Sequence, residues 1–118
     1  MAKDKTGSKP DFKRTKQYRE LKSSMEDNLA ARGLVEPIYL DMVNRYMSFR
    51  GMEYLADLDI QEKGLNVLDE RRGTMMANPS VATKLNASRQ AAQIYRALGF
   101  EDEAKKNHAS GGDEDDEL

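Results

Sequence analysis

The chain has 118 residues, enough for one domain; it is 38% hydrophobic and 34% charged, with a formal net charge of −2. It has no cysteine, which excludes a disulfide scaffold, thiolate zinc sites and cysteine nucleophiles, and its single histidine excludes a histidine-rich metal site. The start Met1-Ala2-Lys3-Asp4-Lys5 lacks the apolar stretch of a signal peptide, and no window reaches 18 apolar residues, so the expectation is a soluble, intracellular protein.

The small net charge conceals a strong polarity along the chain. Residues 1–24 hold eight basic and three acidic groups, +5, and residues 101–118 hold two basic and eight acidic groups, −6. The run Asp113-Glu114-Asp115-Asp116-Glu117 follows Ser110-Gly111-Gly112. Such a run repels itself and buries nothing. The expected organisation is a basic disordered arm over residues 1–10, a helical domain over 11–100, and an acidic disordered tail over 101–118. About 90 residues then remain for a core, few enough for the monomer to be marginal and for other copies to complete its apolar faces.

The composition favours helix, with 12 Ala, 11 Leu and 7 Met. The first helix is expected to start at Asp11 as N-cap and to carry the stripe Tyr18, Leu21, Met25 and Leu29, three and four residues apart. Arg32-Gly33 marks its end, a cation in the last turn before a glycine cap. A long second helix follows from Glu36-Pro37 to Lys63, closed by Gly64. Tyr39, Met42, Val43 and Tyr46 follow one face, and Leu55 and Leu58 resume it beyond Gly51, which marks either a kink or a close backbone approach. These six apolar residues are read as core and subunit interface together. Residues 65–76 form either a short hairpin or an ordered loop. The third helix has Asn78 as N-cap and Pro79 at its first position. Val81, Leu85, Ser88, Ala92, Tyr95 and Leu98 line one face, small residues allow another helix to approach, and Gly99 ends it. Glu101 to Lys106 can add one turn. The predicted fold class is all-α: about three helices, one of them long, with a short loop or hairpin.

This order of elements resembles the small subunit of a tailed-phage terminase. The resemblance rests on a basic N-terminal helix, the Gly33-Leu34 turn, and a long helix containing Tyr39 and Asp41. It continues with a glycine-ended loop, and most specifically with Asn78-Pro79-Ser80-Val81 through Ala97-Leu98-Gly99-Phe100. It covers residues 12–100. Family members often follow the Leu-Gly pair with Thr-Pro-x-x-Arg; here Phe100 is followed by Glu-Asp-Glu-Ala-Lys-Lys, so nothing is carried over past residue 100. The resemblance implies an all-helical, non-enzymatic protein that forms a homo-oligomeric ring and binds double-stranded viral DNA. It also implies regulation of a separate large subunit, which carries the ATPase and nuclease, in the cytoplasm of the host cell.

Residue chemistry offers little for catalysis. There is no G-x-x-x-x-G-K-[ST] phosphate loop. His108 reads as a solvated side chain, and Asp57, Asp59 and Glu62 as a solvated helix face; no cofactor and no metal are expected. The functional signal is the cationic set Lys3, Lys5, Lys9, Lys13, Arg14, Lys16, Arg19 and Lys22, which can neutralise phosphates and release counterions without reading sequence. Arg71 and Arg72 are a secondary DNA candidate, set against a turn charge-balanced by Asp69 and Glu70. Two other readings stay open: a small dimeric helical DNA-binding transcriptional regulator, and an adaptor whose acidic tail contacts a basic partner. The tail itself is expected to dock on the large subunit and to compete with DNA for the basic arm, or else only to keep the chain in solution.

Overall fold

The computed structural model of the protein describes residues 11–111, with side chains through Lys106. A 3-10 turn at Phe12–Arg14 precedes helices α1 (Lys16–Ala31) and α2 (Pro37–Lys63). An antiparallel hairpin of strands β1 (Asn66–Asp69) and β2 (Thr74–Ala77) joins α2 to α3 (Pro79–Ala97), and α4 (Phe100–Gly111) follows. The fold is therefore mostly helical rather than all-α.

The first helix begins four residues later than expected, because two caps compete for its start. Asp11 does cap, but only the 3-10 turn, accepting the Lys13 N–H at 3.0 Å. Thr15 caps α1: its hydroxyl oxygen accepts the Tyr18 N–H at 3.0 Å and its O–H donates to the Phe12 carbonyl at 2.7 Å. The end of α1 is as expected. Gly33 has φ +80°, the Leu34 N–H returns to the Leu29 carbonyl, and the Gly33 N–H to the Ala30 carbonyl, both at 2.9 Å.

The main core forms where α1, the first half of α2 and the C-terminal part of α3 meet. Leu29 and Val43 are fully buried there, with Met25, Tyr46, Met47, Ala91, Leu98 and Phe100 around them. Met25 and Leu29 come from the expected stripe of α1, and Tyr18 and Leu21 pack against the same cluster. Helix α2 has 27 residues, about 40 Å of helix. It runs unbroken through Gly51, where a Cβ would stand 3.8 Å from Phe12. The helix is therefore not interrupted at Gly51, and Phe12 packs over that position.

Beyond Gly51, apart from Tyr54 against Phe12, α2 pairs with α3, and few large side chains are buried between them. The buried side chains of this half are Ala56, Ala87 and Asn78, so the two backbones approach closely over alanines. Of the small residues of the third helix, Ala87 and Ala91 are buried within the same chain, whereas Ala82 and Ser88 are exposed. The antiparallel register is held by the Lys84–Asp57 ion pair at 2.7 Å and by the Ser80 hydroxyl donating to Asp59 at 2.7 Å. Asn78 joins the far ends of this pair: its side-chain oxygen accepts the Ser80 N–H, its amide donates to the Gly64 carbonyl, both at 2.9 Å, and its backbone N–H reaches the Leu65 carbonyl at 2.8 Å.

The hairpin is present, in the register Asn66↔Ala77, Val67↔Met76, Leu68↔Met75, Asp69↔Thr74. Its sequence alternates poorly because neither face is covered: Leu68 and Met75, directly opposite each other, are 56% and 64% exposed. At the C-terminal end, Gly99 (φ +80°) stops α3, and Phe100 turns back into the core. The turn allowed for over Glu101 to Lys106 is present, and helix α4 continues to Gly111, into residues expected to be part of a disordered tail. The start is helix-compatible because Glu101, Asp102 and Glu103 occupy the first turn, where negative charge is favoured. The arm over residues 1–10 and the acidic run after Gly112 lie outside the described residues.

Asn78→Ala should remove both the α3 cap and the tie to the Gly64 carbonyl, leaving that acceptor without its partner. The expected loss is about 2 kcal/mol of unfolding free energy, read from the midpoint of a urea melt followed by circular dichroism.

Candidate nucleic-acid interface

The cations nearest the start of the fold occupy one short stretch with defined geometry. Lys13 and Arg14 lie in the 3-10 turn and Lys16 and Arg19 in the first turn of α1; all four are exposed, and Lys22, one turn further on, is half-buried. The guanidinium of Arg19 donates to the Arg14 carbonyl at 3.2 Å and so folds back onto the turn. Lys16 meets Glu20 at 3.7 Å, with both side chains largely solvated, a pairing too exposed to neutralise it. Lys3, Lys5 and Lys9 lie outside the described residues.

Phe12 holds this turn in place, and the sequence alone gave it no role. It is 5% exposed, packs edge-on to Tyr18 with centroids 5.4 Å apart, and lies against Tyr54 at 5.4 Å. The available signal was Thr15, a second cap three residues before Tyr18, which frees Phe12 from the helix and turns it inward. Arg32 was likewise seen only as an end-of-helix cation. Its Nε donates to Asn28 at 2.9 Å and its guanidinium stacks over Phe100 at 5.2 Å, linking the end of α1 to the start of α4.

The other candidate cations are more nearly balanced. Arg71 and Arg72 project from the hairpin loop, both exposed. Asp69 organises that loop, accepting the Arg71 N–H at 3.1 Å and standing 3.8 Å from the Arg72 guanidinium. Arg71 has no ion pair among the described residues.

The six residues read as core and interface separate. Val43 and Tyr46 belong to the chain's own core, because α1 and α3 close over that face of α2, and they have no surface left for a second copy. Tyr39 and Met42 are half-buried against the same cluster. Leu58 is half-buried, whereas Leu55 is 50% exposed, beside Met52. Exposed apolar side chains also lie on residues the sequence did not single out as interface: Leu65, Leu68, Met75 and Met76 in or beside the hairpin, and Leu85 on α3.

Asp57 and Asp59 are each engaged by a partner. Asp57 binds Lys84, and Asp59 accepts from Ser80 and meets Lys63 at 3.0 Å. The Ser80 hydroxyl, then Lys63 and Asn78, hold the Asp59 carboxyl down at about 2. Among the described residues no three His, Asp or Glu side chains converge as metal ligands, and no helix is long and apolar enough to cross a membrane. The side chain of His108 lies outside the described residues.

A family model described as "Phage terminase, small subunit" matches residues 16–115. The chain belongs to the phage terminase small subunit family. The match spans α1 to α4 and places the chain in phage genome packaging. No curated protein and no solved structure gives a match.

The depressed carboxyl of Asp59 gives this small subunit an acid-sensitive tie. A carboxyl held below its ordinary value of 3.8 contributes stability that is present above that value and is lost as pH falls through about 2. Ser80→Ala, which removes the largest cause of the shift, should lower stability at neutral pH. The gap from the unmodified chain should narrow between pH 3.8 and 2, as read from urea midpoints across that range.

Proposed function

We propose that this terminase small subunit is the non-catalytic DNA-recognition component of a phage packaging machine. It binds double-stranded viral DNA through the cationic turn and arm, assembles as a closed ring of identical copies, and regulates the large subunit that carries the ATPase and nuclease. Its place of action is the cytoplasm of the infected host. The observation that carries the DNA reading is the exposed set Lys13, Arg14, Lys16 and Arg19, gathered on one turn and one helix start. Phosphates are recognised by such a set through charge and counterion release, without base readout. The helices do not suggest base readout either: α2 is covered by α1 over its first half and by α3 along its length, unlike a helix that lies free in a major groove.

Self-assembly is supported by the uncovered apolar surface. A two-stranded hairpin is marginal by itself in water, and this one exposes large apolar side chains on both faces, on a stalk with few buried side chains. Covering them with a second copy is worth roughly 1.5–3 kcal/mol for each side chain fully buried. A closed ring satisfies every copy equally.

The quadruple change of Lys13, Arg14, Lys16 and Arg19 to Ala should weaken binding to all DNA sequences alike. It should also flatten the dependence of log affinity on log salt by up to about 3.6, from roughly 0.9 for each of four phosphate contacts. Unchanged affinity and slope in a fluorescence-anisotropy titration would move the site to Arg71 and Arg72.

Light scattering on the unmodified chain at micromolar concentration should give a mass above that of a tetramer. Leu68→Lys with Met75→Lys should reduce that mass and leave helicity intact, because both side chains are exposed in the single chain. A monomer rejects the assembly, and a dimer supports the transcriptional-regulator reading instead.

A further inference from the structure

We infer that Phe12 is a positioning residue for phosphate binding: by docking the 3-10 turn on α2, it presents Lys13, Arg14 and Arg19 as one preassembled cationic patch. The inference rests on the DNA reading above and adds to it the device that organises the charges. Lys and Arg side chains on a free terminus must be gathered at the moment of binding, and ordering each one costs affinity. Here much of that ordering is done in the fold. The Phe12 ring packs against Tyr18 and Tyr54 and lies over Gly51, 3.8 Å from where a Cβ would stand.

Three hydrogen bonds fix the backbone around the ring: Lys13 N–H to the Asp11 carboxylate, Thr15 N–H to the Phe12 carbonyl, and Thr15 O–H to that same carbonyl. The Arg14 carbonyl then accepts from Arg19, which draws the third cation to the first two. Phe12 itself is buried and cannot touch DNA; its effect passes through the turn that it anchors.

The test compares four full-length proteins on a short duplex of mixed sequence, well below their melting temperatures: the unmodified chain, Phe12→Ala, Phe12→Leu and Leu98→Ala. Leu98 is buried in the same core but far along the chain from the turn, so its truncation reports loss of stability alone. Phe12→Ala should bind about tenfold more weakly while keeping the salt slope of the unmodified chain, since charges are displaced and none is removed. Phe12→Leu, which keeps most of the bulk, should recover most of the affinity. Leu98→Ala should melt earlier and bind as the unmodified chain does. If the unmodified chain binds with a clear salt slope and Phe12→Ala binds equally well, or loses no more than Leu98→Ala, the positioning role is wrong and the DNA reading stands. If the unmodified chain shows no salt-dependent binding, the DNA reading falls and takes this role with it.

Discussion

A helix of 27 residues is longer than a chain of this size can bury, and the rest of the architecture follows from how α2 is covered. Its first half receives α1 on one side and the C-terminal part of α3 on another, and the large core side chains collect there. Beyond Tyr54, which meets Phe12, its second half receives α3, across Ala56 and Ala87. Alanine contacts bring backbones close but remove little apolar area from water. The stalk is therefore held by polar ties that set its register, Asp57 to Lys84 and Asp59 to Ser80, and by Asn78 bridging the helix ends across the hairpin. One half of α2 builds a domain and the other half projects from it.

This division separates the two activities proposed for the small subunit. The cationic turn lies at the boundary, where Phe12 meets Gly51 and Tyr54. The uncovered apolar side chains lie mainly beyond it, on the hairpin and the stalk, with Val35, Ile38 and Leu40 forming a second group at the opposite end of α2. The proposed DNA contact and the proposed contact between copies would therefore draw on different residues of the same helix neighbourhood. The division also places Arg32 and Phe100 at the junction between the core and α4, where a cation stacked on an aromatic ring fixes the start of the acidic C-terminal helix.

Local signals in the chain determined most of the helical framework. Arg32-Gly33, Glu36-Pro37, Lys63-Gly64, Asn78-Pro79 and Leu98-Gly99 each announce a helix end through backbone requirements that hold whatever the surroundings, and each marks one here. The stripe of α1 was equally legible, because periodicity of 3.6 residues reports a buried face directly; on α3 the expected face held only in part, with Leu98 buried but Leu85 and Ser88 exposed. The concentration of positive charge near the start was visible too, being a matter of composition alone.

Which buried face meets which partner was decided only by tertiary structure. Val43 and Tyr46 carry the same pattern whether a second copy or α3 covers them; the chain's own return along α2 assigned them to its core. Asp11 and Thr15 are both competent caps, and Phe12 settled the contest, since burying its ring over Gly51 requires the chain to turn before the helix begins. The hairpin escaped a clear reading because alternation appears in sequence only when one face is buried, and here both are open. Helix α4 extended past the expected boundary because an acidic first turn stabilises a helix start as readily as an acidic run suggests disorder. Backbone caps act within a few residues and can be read in order along the chain; packing joins residues tens of positions apart, and only the folded structure shows which of them meet.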